Sequence, residues 1–161
     1  FEKEASMETR ATVAEHPIHP MLIPFPIALW IFSLASDLIV LFGFGGPVWK
    51  DVALYTMIGG IFGGLAAAIP GYIDYRSLTD PVIIRVAQLH MVINVGLVLL
   101  FTINAGLRMI NGSEAMLPVF LSLFGVAALG VSGWLGGELV YVQGVAVQPQ
   151  QEPTAPTRRA A

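Results

Sequence analysis

Four long runs of apolar residues, at 21–44, 52–73, 86–107 and 116–142, make up most of this chain. A helix of about 20 residues crosses the roughly 30 Å hydrocarbon core of a bilayer, and each run reaches that length. Strands of a membrane barrel would instead alternate in polarity over about ten residues. The runs therefore predict an all-α fold, an integral membrane four-helix bundle with helices at about 20–44, 52–74, 84–110 and 116–142.

The composition agrees with a chain that lies mostly in lipid. Of the 161 residues, 55% are hydrophobic and 12% are charged, whereas soluble domains carry about a quarter charged residues. The net charge of -3 argues against a nucleic-acid partner. The sequence has no cysteine, which excludes disulfides, iron–sulfur ligation and covalently attached haem.

Both ends of the chain are polar. We predict an N-terminal tail at 1–15, a helical domain at 16–147 and a disordered, proline-rich tail at 148–161. With four spans, both termini and the loop between the second and third helices share one side of the membrane. That side carries six Lys and Arg residues, and the other carries Lys50 and Arg108. The positive-inside rule therefore places both termini on the cytoplasmic side.

All three histidines fall at the cytoplasmic end of the predicted bundle. His16 and His19 stand at the entry of the first helix, and His90 lies a little over one turn into the third. Asp74 closes the second helix at this end, and Glu138 closes the fourth. Ionisable groups within membrane segments are costly and usually functional, so these five residues form the candidate site.

Other interpretations of the polar residues stay open. His16 and His19 lie in a proline-rich, kinked helix entry, where imidazoles could simply cap backbone groups. His90 and Asn94 share a face and must contact protein, because an unpaired polar group in hydrocarbon costs several kcal/mol. A structural hydrogen bond from His90 to Glu138 or Asp74 would satisfy that need. We expect Asp37, near the opposite end of the first helix, to face water or a helix end.

The second and fourth helices are rich in glycine. Small residues at such spacing indicate close helix packing, and they would also leave room beside a flat macrocycle. Arg76 and Arg85 lie at the cytoplasmic boundary, where snorkelling alone explains them. If haem were bound, these two arginines would pair with its propionates.

Four short motifs stand out together: His16-Pro-Ile-His19-Pro, Gly71-Tyr-Ile-Asp74, His90 with Asn94, and Gly133-Trp-Leu-Gly136-Gly-Glu-Leu-Val-Tyr141 followed by Gly144-Val. With these motifs the chain resembles a bacterial family of small membrane proteins, domain of unknown function 2231. The resemblance covers about 15–147 and implies a bacterial inner-membrane protein without a settled function. Some relatives are joined to a Rieske iron–sulfur domain, which implies electron transfer by association. Where the family commonly has a histidine after the fourth helix, this chain has Gln143.

We predict a small b-type cytochrome that holds one haem b between the first and third helices. His19 and His90 would be its axial ligands, and electrons would pass to quinone or a partner complex. At about 1.5 Å per residue, His90 should lie roughly 7 Å deeper than a helix start. Because His19 begins its own helix, tilt or an earlier start of the first helix is needed to bring the two level.

Two further hypotheses fit the same composition. His16, His19 and His90 with Asp74 or Glu138 could bind zinc or iron, or relay protons in a small transporter. The chain could also be an accessory subunit of a larger complex or a homo-oligomer, with a purely structural polar cluster. No hydrolytic triad or phosphate-binding loop is recognisable in the sequence.

Overall fold

The computed structural model describes residues 11–14, 16–111 and 116–147, with no account of the Asn111 side chain. The predicted C-terminal tail and most of the predicted N-terminal tail lie outside these ranges. The elements are β1 (Thr12–Val13), β2 (His16–Pro17), α1 (Ile18–Leu22), α2 (Pro24–Leu41), α3 (Val48–Tyr75), α4 (Pro81–Asn111), α5 (Met116–Gly137) and a final π-helical turn (Glu138–Val142).

Four helical segments in the described residues are long and apolar enough to cross a membrane. The first, Ile18–Leu41, includes α1 and α2, and the second is α3. The third is Pro81–Ile110 within α4, and the fourth is Met116–Val142, which includes α5 and the π-helical turn. The prediction of an all-α fold with four membrane-spanning helices is confirmed to this extent.

Prolines and a glycine set the limits of the first span. Pro24 and Pro26 occupy the first turn of α2, where a missing N–H is tolerated. The span starts at Ile18, slightly earlier than predicted, because α1 precedes these prolines. It ends at Leu41, and Gly43 adopts the positive φ of 74° that commonly terminates a helix.

The helices form a four-sided bundle with an apolar centre. α2 packs on α3, α4 packs on α5, and contacts between α3 and α4 and between α2 and α5 close the square. α2 and α4 therefore face each other across the centre. The core residues are Trp30, Met57, Leu97, Phe101, Ala105 and Leu129.

The bundle consists of two halves related by a pseudo-twofold axis. Asp37 and Arg108 form an ion pair on the bundle axis, near one end, and are 71 residues apart in sequence. Trp30 and Phe101 have the same separation, and their rings stack with centroids 4.4 Å apart. His19 and His90 are also 71 residues apart in sequence, and their ring centroids are 6.4 Å apart. Since α2 and α4 are equivalent and run in the same direction, the axis lies along the bundle, as in parallel repeats.

Contacts to the second helix of each half, α3 and α5, are also equivalent, with positions 65 residues apart in sequence. The Ser33 hydroxyl donates to the carbonyl of Ala53 at 2.7 Å, and the Asn104 amide donates to that of Pro118 at 2.9 Å. Similarly, Gly60 lies against the ring of Trp30, and Gly125 lies against the ring of Phe101. This internal repeat was not predicted from the sequence.

The described part of the predicted N-terminal tail is folded back on the bundle. β1 and β2 pair in an antiparallel hairpin. The buried Ala11 donates its N–H to Oδ1 of Asp74 at 3.0 Å, and its carbonyl accepts from the N–H of Ile18 at 2.9 Å. Asp74 is therefore the anchor of this hairpin, a role that local sequence did not reveal.

Asp37 differs from its expected position. It does not face water or a free helix end, because its side chain is 6% exposed and paired with Arg108. The pairing partner is distant in sequence, so the charge of Asp37 alone gave no sign of it. This ion pair lies at the end of the bundle opposite the histidines.

Candidate functional site

His19 is held against α3. Its Nδ1 lies 2.7 Å from the carbonyl oxygen of Ala67. A carbonyl can only accept, so Nδ1 donates this hydrogen bond, and the lone pair of the neutral imidazole is then on Nε2. Pro70 lies inside α3 and removes one backbone hydrogen bond from this turn. A Cβ added at Gly71 would come within 2.7 Å of the imidazole, so only glycine fits here without a shift.

His90 is held against α5 by an equivalent arrangement. Its Nδ1 lies 3.0 Å from the carbonyl oxygen of Ser132 and 3.2 Å from the Ser132 hydroxyl. The carbonyl again assigns the proton to Nδ1 and the lone pair to Nε2. Gly136 lies beside this ring, and a Cβ there would come within 3.2 Å of Cε1. Each histidine therefore contacts one carbonyl and the glycine four residues after it.

Asn94 connects His90 to α5. Its Nδ2 lies 2.7 Å from the carbonyl oxygen of His90, 2.6 Å from Oγ of Ser132 and 3.2 Å from Nε2 of His90. An amide nitrogen has two hydrogens, and the two shorter contacts account for both. Nε2 is the most distant of the three acceptors. Asn94 thus contacts protein rather than lipid, as predicted.

The two imidazoles lie close together despite the expected difference in depth. Their ring centroids are 6.4 Å apart and their planes are at 88°. α1 begins at Ile18, and α4 begins at Pro81, nine residues before His90. His19 is still the second residue of its helix, so the rings lie level because the first turns of α4 project beyond His19.

A second apolar cluster covers this end of the bundle. It contains Ile83 and Ala87 from the start of α4 and Leu139 from the π-helical turn. Tyr75, Leu78, Val86 and Val145 pack against it. This cluster lies at the same end of the bundle as the histidine pair, whose imidazoles are half-buried.

The remaining predicted metal ligands do not join the histidine pair. His16 is exposed on β2, and its Nδ1 lies 2.7 Å from the carbonyl oxygen of Ala14. Asp74 accepts from the backbone of Ala11, and Glu138 accepts a 3.4 Å hydrogen bond from Gln143. Within the described residues, no three His, Asp or Glu side chains gather into a group that could hold a metal ion. The hypothesis of a zinc or iron site made by the three histidines with Asp74 or Glu138 is therefore not supported within the described residues.

The alternative hydrogen bonds from His90 to Glu138 or Asp74 are also not formed. His90 bonds instead to Ser132 and Asn94. Sequence analysis missed Ser132, and only the equivalence of the two halves could have indicated the turn on which it lies.

The two arginines lie at the ends of their helices. Arg76 follows α3 directly, and its Nη1 donates to the Tyr72 hydroxyl at 3.5 Å. That hydrogen bond raises the pKa of Arg76. Arg85 is exposed in the second turn of α4. Both positions suit contact with headgroups or another anionic group at the membrane boundary.

Gln143 follows the π-helical turn where the resembled family commonly has histidine. Its Nε2 donates to Glu138, while its Oε1 is buried without a partner among the described residues. π-Helical turns are rare and often lie at functional sites. The amide provides no imidazole ligand, so the described residues contain one histidine pair.

The fold and this half-buried pair define a four-helix membrane protein with two imidazoles in edge contact near one end of the bundle. The chain belongs to the DUF2231 family, described as a predicted membrane protein, whose family model matches residues 15–149. The resemblance inferred from the His-Pro and Gly-Gly-Glu motifs is thereby confirmed. No curated protein and no solved structure matches the chain significantly.

Proposed function

We propose that this protein is a small b-type cytochrome in which His19 and His90 are the axial ligands of one haem. The relationship between the two rings carries the proposal. A ring nitrogen lies about 1 Å from its centroid and binds a metal at about 2 Å, so imidazoles on opposite sides of one metal have centroids about 6 Å apart. The centroids of His19 and His90 are 6.4 Å apart.

The protonation of both rings supports the same conclusion. Ligating histidines usually donate their second ring N–H to a carbonyl or carboxylate, which fixes the tautomer and the ring orientation. His19 donates to Ala67 and His90 donates to Ser132, so both Nε2 atoms are in the form that binds metals.

The donor set favours haem over a bare metal ion. Zinc sites use three or four protein ligands, whereas the described residues bring two imidazoles together. Haem supplies four nitrogen ligands itself and takes two more from the protein, as in bis-histidine cytochromes. When bound, haem would supply one-electron chemistry.

The other residues of the site would bind and orient the group. Ala67 and Ser132 hold the imidazoles, while Gly71 and Gly136 allow their close approach. We propose that Arg76 and Arg85 pair with the propionates at the membrane boundary, since guanidinium groups bind carboxylates strongly. Asn94 is a positioning residue for His90.

The proposal extends to the surroundings of the protein. The arginine-rich side should face the cytoplasm of a bacterium, with the four spans in its inner membrane. Arg108 is paired with Asp37 inside the bundle, and Lys50, in the first turn of α3, is the other basic residue described at the opposite end. An electron carrier in this position would exchange electrons with quinone or a membrane complex.

A structural accessory role is the second candidate. It is favoured by the bonds of His19 to α3 and His90 to α5, which join neighbouring helices without any ligand. In that case the protein would be colourless, and replacement of a histidine would reduce stability only.

The visible spectrum of the purified full chain in detergent separates the two candidates. We expect a Soret band that sharpens on reduction, with the low-spin spectrum of a bis-histidine haem. His19→Ala and His90→Ala should each abolish that low-spin spectrum. His16→Ala, which changes an exposed imidazole outside the pair, is the matched control and should leave it unchanged. A folded protein that takes up no haem during expression or reconstitution would refute the cytochrome proposal.

A further inference from the structure

Four polar side chains gather where α3 ends beside the start of α4. Tyr72 and Tyr75 lie in the last turn of α3, and their ring centroids are 6.2 Å apart. Nη1 of Arg76 donates to the Tyr72 hydroxyl at 3.5 Å, and Nε2 of Gln88 donates to the Tyr75 hydroxyl at 2.9 Å. The two phenols and their two partners therefore form one connected group, which we call the tyrosine cluster.

The tyrosine cluster offers hydrogen-bond donors without matching acceptors. Each phenol oxygen accepts from its neighbour, so its own O–H hydrogen is free to donate. The guanidinium of Arg76 has five N–H groups, and the Tyr72 hydroxyl takes one of them. Within the part of the chain that the structure describes, no carboxylate forms an ion pair with Arg76. An anion would accept from both kinds of donor and neutralise the charge.

The position of the cluster favours an anion that carries a hydrocarbon tail. The span formed by α3 ends at Tyr75, so the cluster lies at the boundary of the membrane-spanning region. Leu65 lies seven residues before Tyr72 on α3, and Val92 lies four residues after Gln88 on α4, so each continues one helix face into the span. Their side chains are 49% and 63% exposed. An apolar surface therefore leads from the cluster along the seam between α3 and α4.

We propose that the tyrosine cluster binds the phosphate of an anionic phospholipid, such as phosphatidylglycerol, whose acyl chain lies along this seam. Guanidinium groups bind phosphate oxygens through paired, charge-assisted hydrogen bonds, and the two phenol O–H groups supply further donors. The choline group of phosphatidylcholine carries a positive charge, which Arg76 would repel. The site is separate from the histidine pair. Its N–H groups also allow Arg76 to contact a phosphate and a haem propionate together.

The second half of the bundle lacks such a cluster. The residues at the equivalent positions, 65 further along the sequence, are Gly137, Val140 and Tyr141. The Tyr141 side chain is 89% exposed, and no hydrogen bond joins its hydroxyl to another described residue. We therefore expect one such lipid site in the described chain, with Tyr141 as a lone phenol at the same boundary.

A titration of the full chain in non-ionic detergent tests the inference, with phosphatidylglycerol labelled on one acyl chain and fluorescence anisotropy as the readout. We expect the wild type to bind it about tenfold or more tightly than equally labelled phosphatidylcholine. Tyr72→Phe combined with Tyr75→Phe keeps both rings and every charge but removes both O–H donors. This double variant should bind phosphatidylglycerol about tenfold more weakly. Tyr141→Phe is the matched control and should bind like the wild type.

Several outcomes would overturn the inference. One is equal affinity of the wild type for the two lipids. Another is unchanged affinity in the double variant, because general attraction of anions to a charged boundary would then be sufficient. Displacement of the labelled lipid by soluble glycerol phosphate as effectively as by unlabelled phosphatidylglycerol would indicate a site for free phosphate esters instead. If the double variant does not fold, Arg76→Gln changes an exposed position after α3, and wild-type affinity there would also overturn the inference.

Discussion

Arg108 donates hydrogen bonds to both carboxylate oxygens of Asp37, at 2.7 and 2.6 Å, across the centre of the bundle. The two side chains are only 5% and 6% exposed. Arg108 also donates to Oδ1 of Asn104 at 3.1 Å and to Oγ of Ser122 at 3.2 Å. The guanidinium is thus surrounded by acceptors from α2, α4 and α5, and the two halves are joined by opposite charges at equivalent positions.

Removing one charge of this pair should destabilise the protein strongly. In Asp37→Asn, the buried guanidinium of Arg108 loses its counter-charge, which costs about 3–5 kcal/mol. Chemical unfolding of the detergent-solubilised protein should show the loss. Asp51→Asn, at an exposed position in the first turn of α3, is the matched control and should change little.

A paired replacement should behave differently. Replacing both members with apolar residues, as in Asp37→Leu with Arg108→Met, should recover most of the lost stability, because neither charge is then left unpaired. Equal stabilities for Asp37→Asn and Asp51→Asn would contradict the buried pair.

The glycines beside the central aromatic rings should resist enlargement. A Cβ at Gly125 would come within 2.7 Å of Cζ of Phe101, and one at Gly60 would overlap the indole of Trp30. Gly60→Ala and Gly125→Ala should each cost about 1–3 kcal/mol through overpacking. In Gly130→Ala the added methyl group meets no atom within 4 Å, so this variant should be at least as stable as the wild type. A similar effect at all three positions would argue against the close approach.

The stacked pair itself should contribute to the stability of the centre. Phe101 is fully buried against Trp30, whose Nε1 donates to the carbonyl of Met57 at 3.2 Å. Phe101→Ala should leave a cavity and cost about 3–5 kcal/mol. Phe120→Ala removes a ring that is 60% exposed on the outer face of α5 and should cost much less in the same unfolding assay. Equal losses would show that the ring of Phe101 lies elsewhere.

Hydropathy and proline placement were enough to predict the spans, because a membrane helix must satisfy its own backbone. The sequence also predicted that His19 and His90 lie at the same end of the bundle, because the first and third helices of four alternating spans begin on the same side. The contact between the two rings could not be predicted, because it depends on how far α4 extends beyond α1. The shared tautomer could not be predicted either, as it depends on the carbonyls of Ala67 and Ser132.

The internal repeat was harder to detect, although a signal exists in the sequence. His19, Trp30 and Asp37 have the same spacing as His90, Phe101 and Arg108. Asp37 and Arg108 have opposite charges, so a search for repeated similar residues would not align them. That same difference in charge makes their contact favourable. The hairpin is anchored by one hydrogen bond, which the backbone N–H of Ala11 donates to Asp74. Because the donor is a backbone group, no residue type at position 11 indicates this bond.

The orientation of the bundle can be tested with single cysteines, because the sequence contains none. Gly46→Cys places a thiol in the exposed loop between α2 and α3, and Thr79→Cys places one in the exposed loop between α3 and α4. Since the basic residues gather on the side of Thr79, a membrane-impermeant maleimide should label Gly46→Cys in intact bacterial spheroplasts and leave Thr79→Cys unlabelled. Both should react after the membrane is permeabilised, which controls for access to each thiol. Labelling of Thr79→Cys alone in intact spheroplasts would reverse the orientation and place the histidine pair near the outer surface.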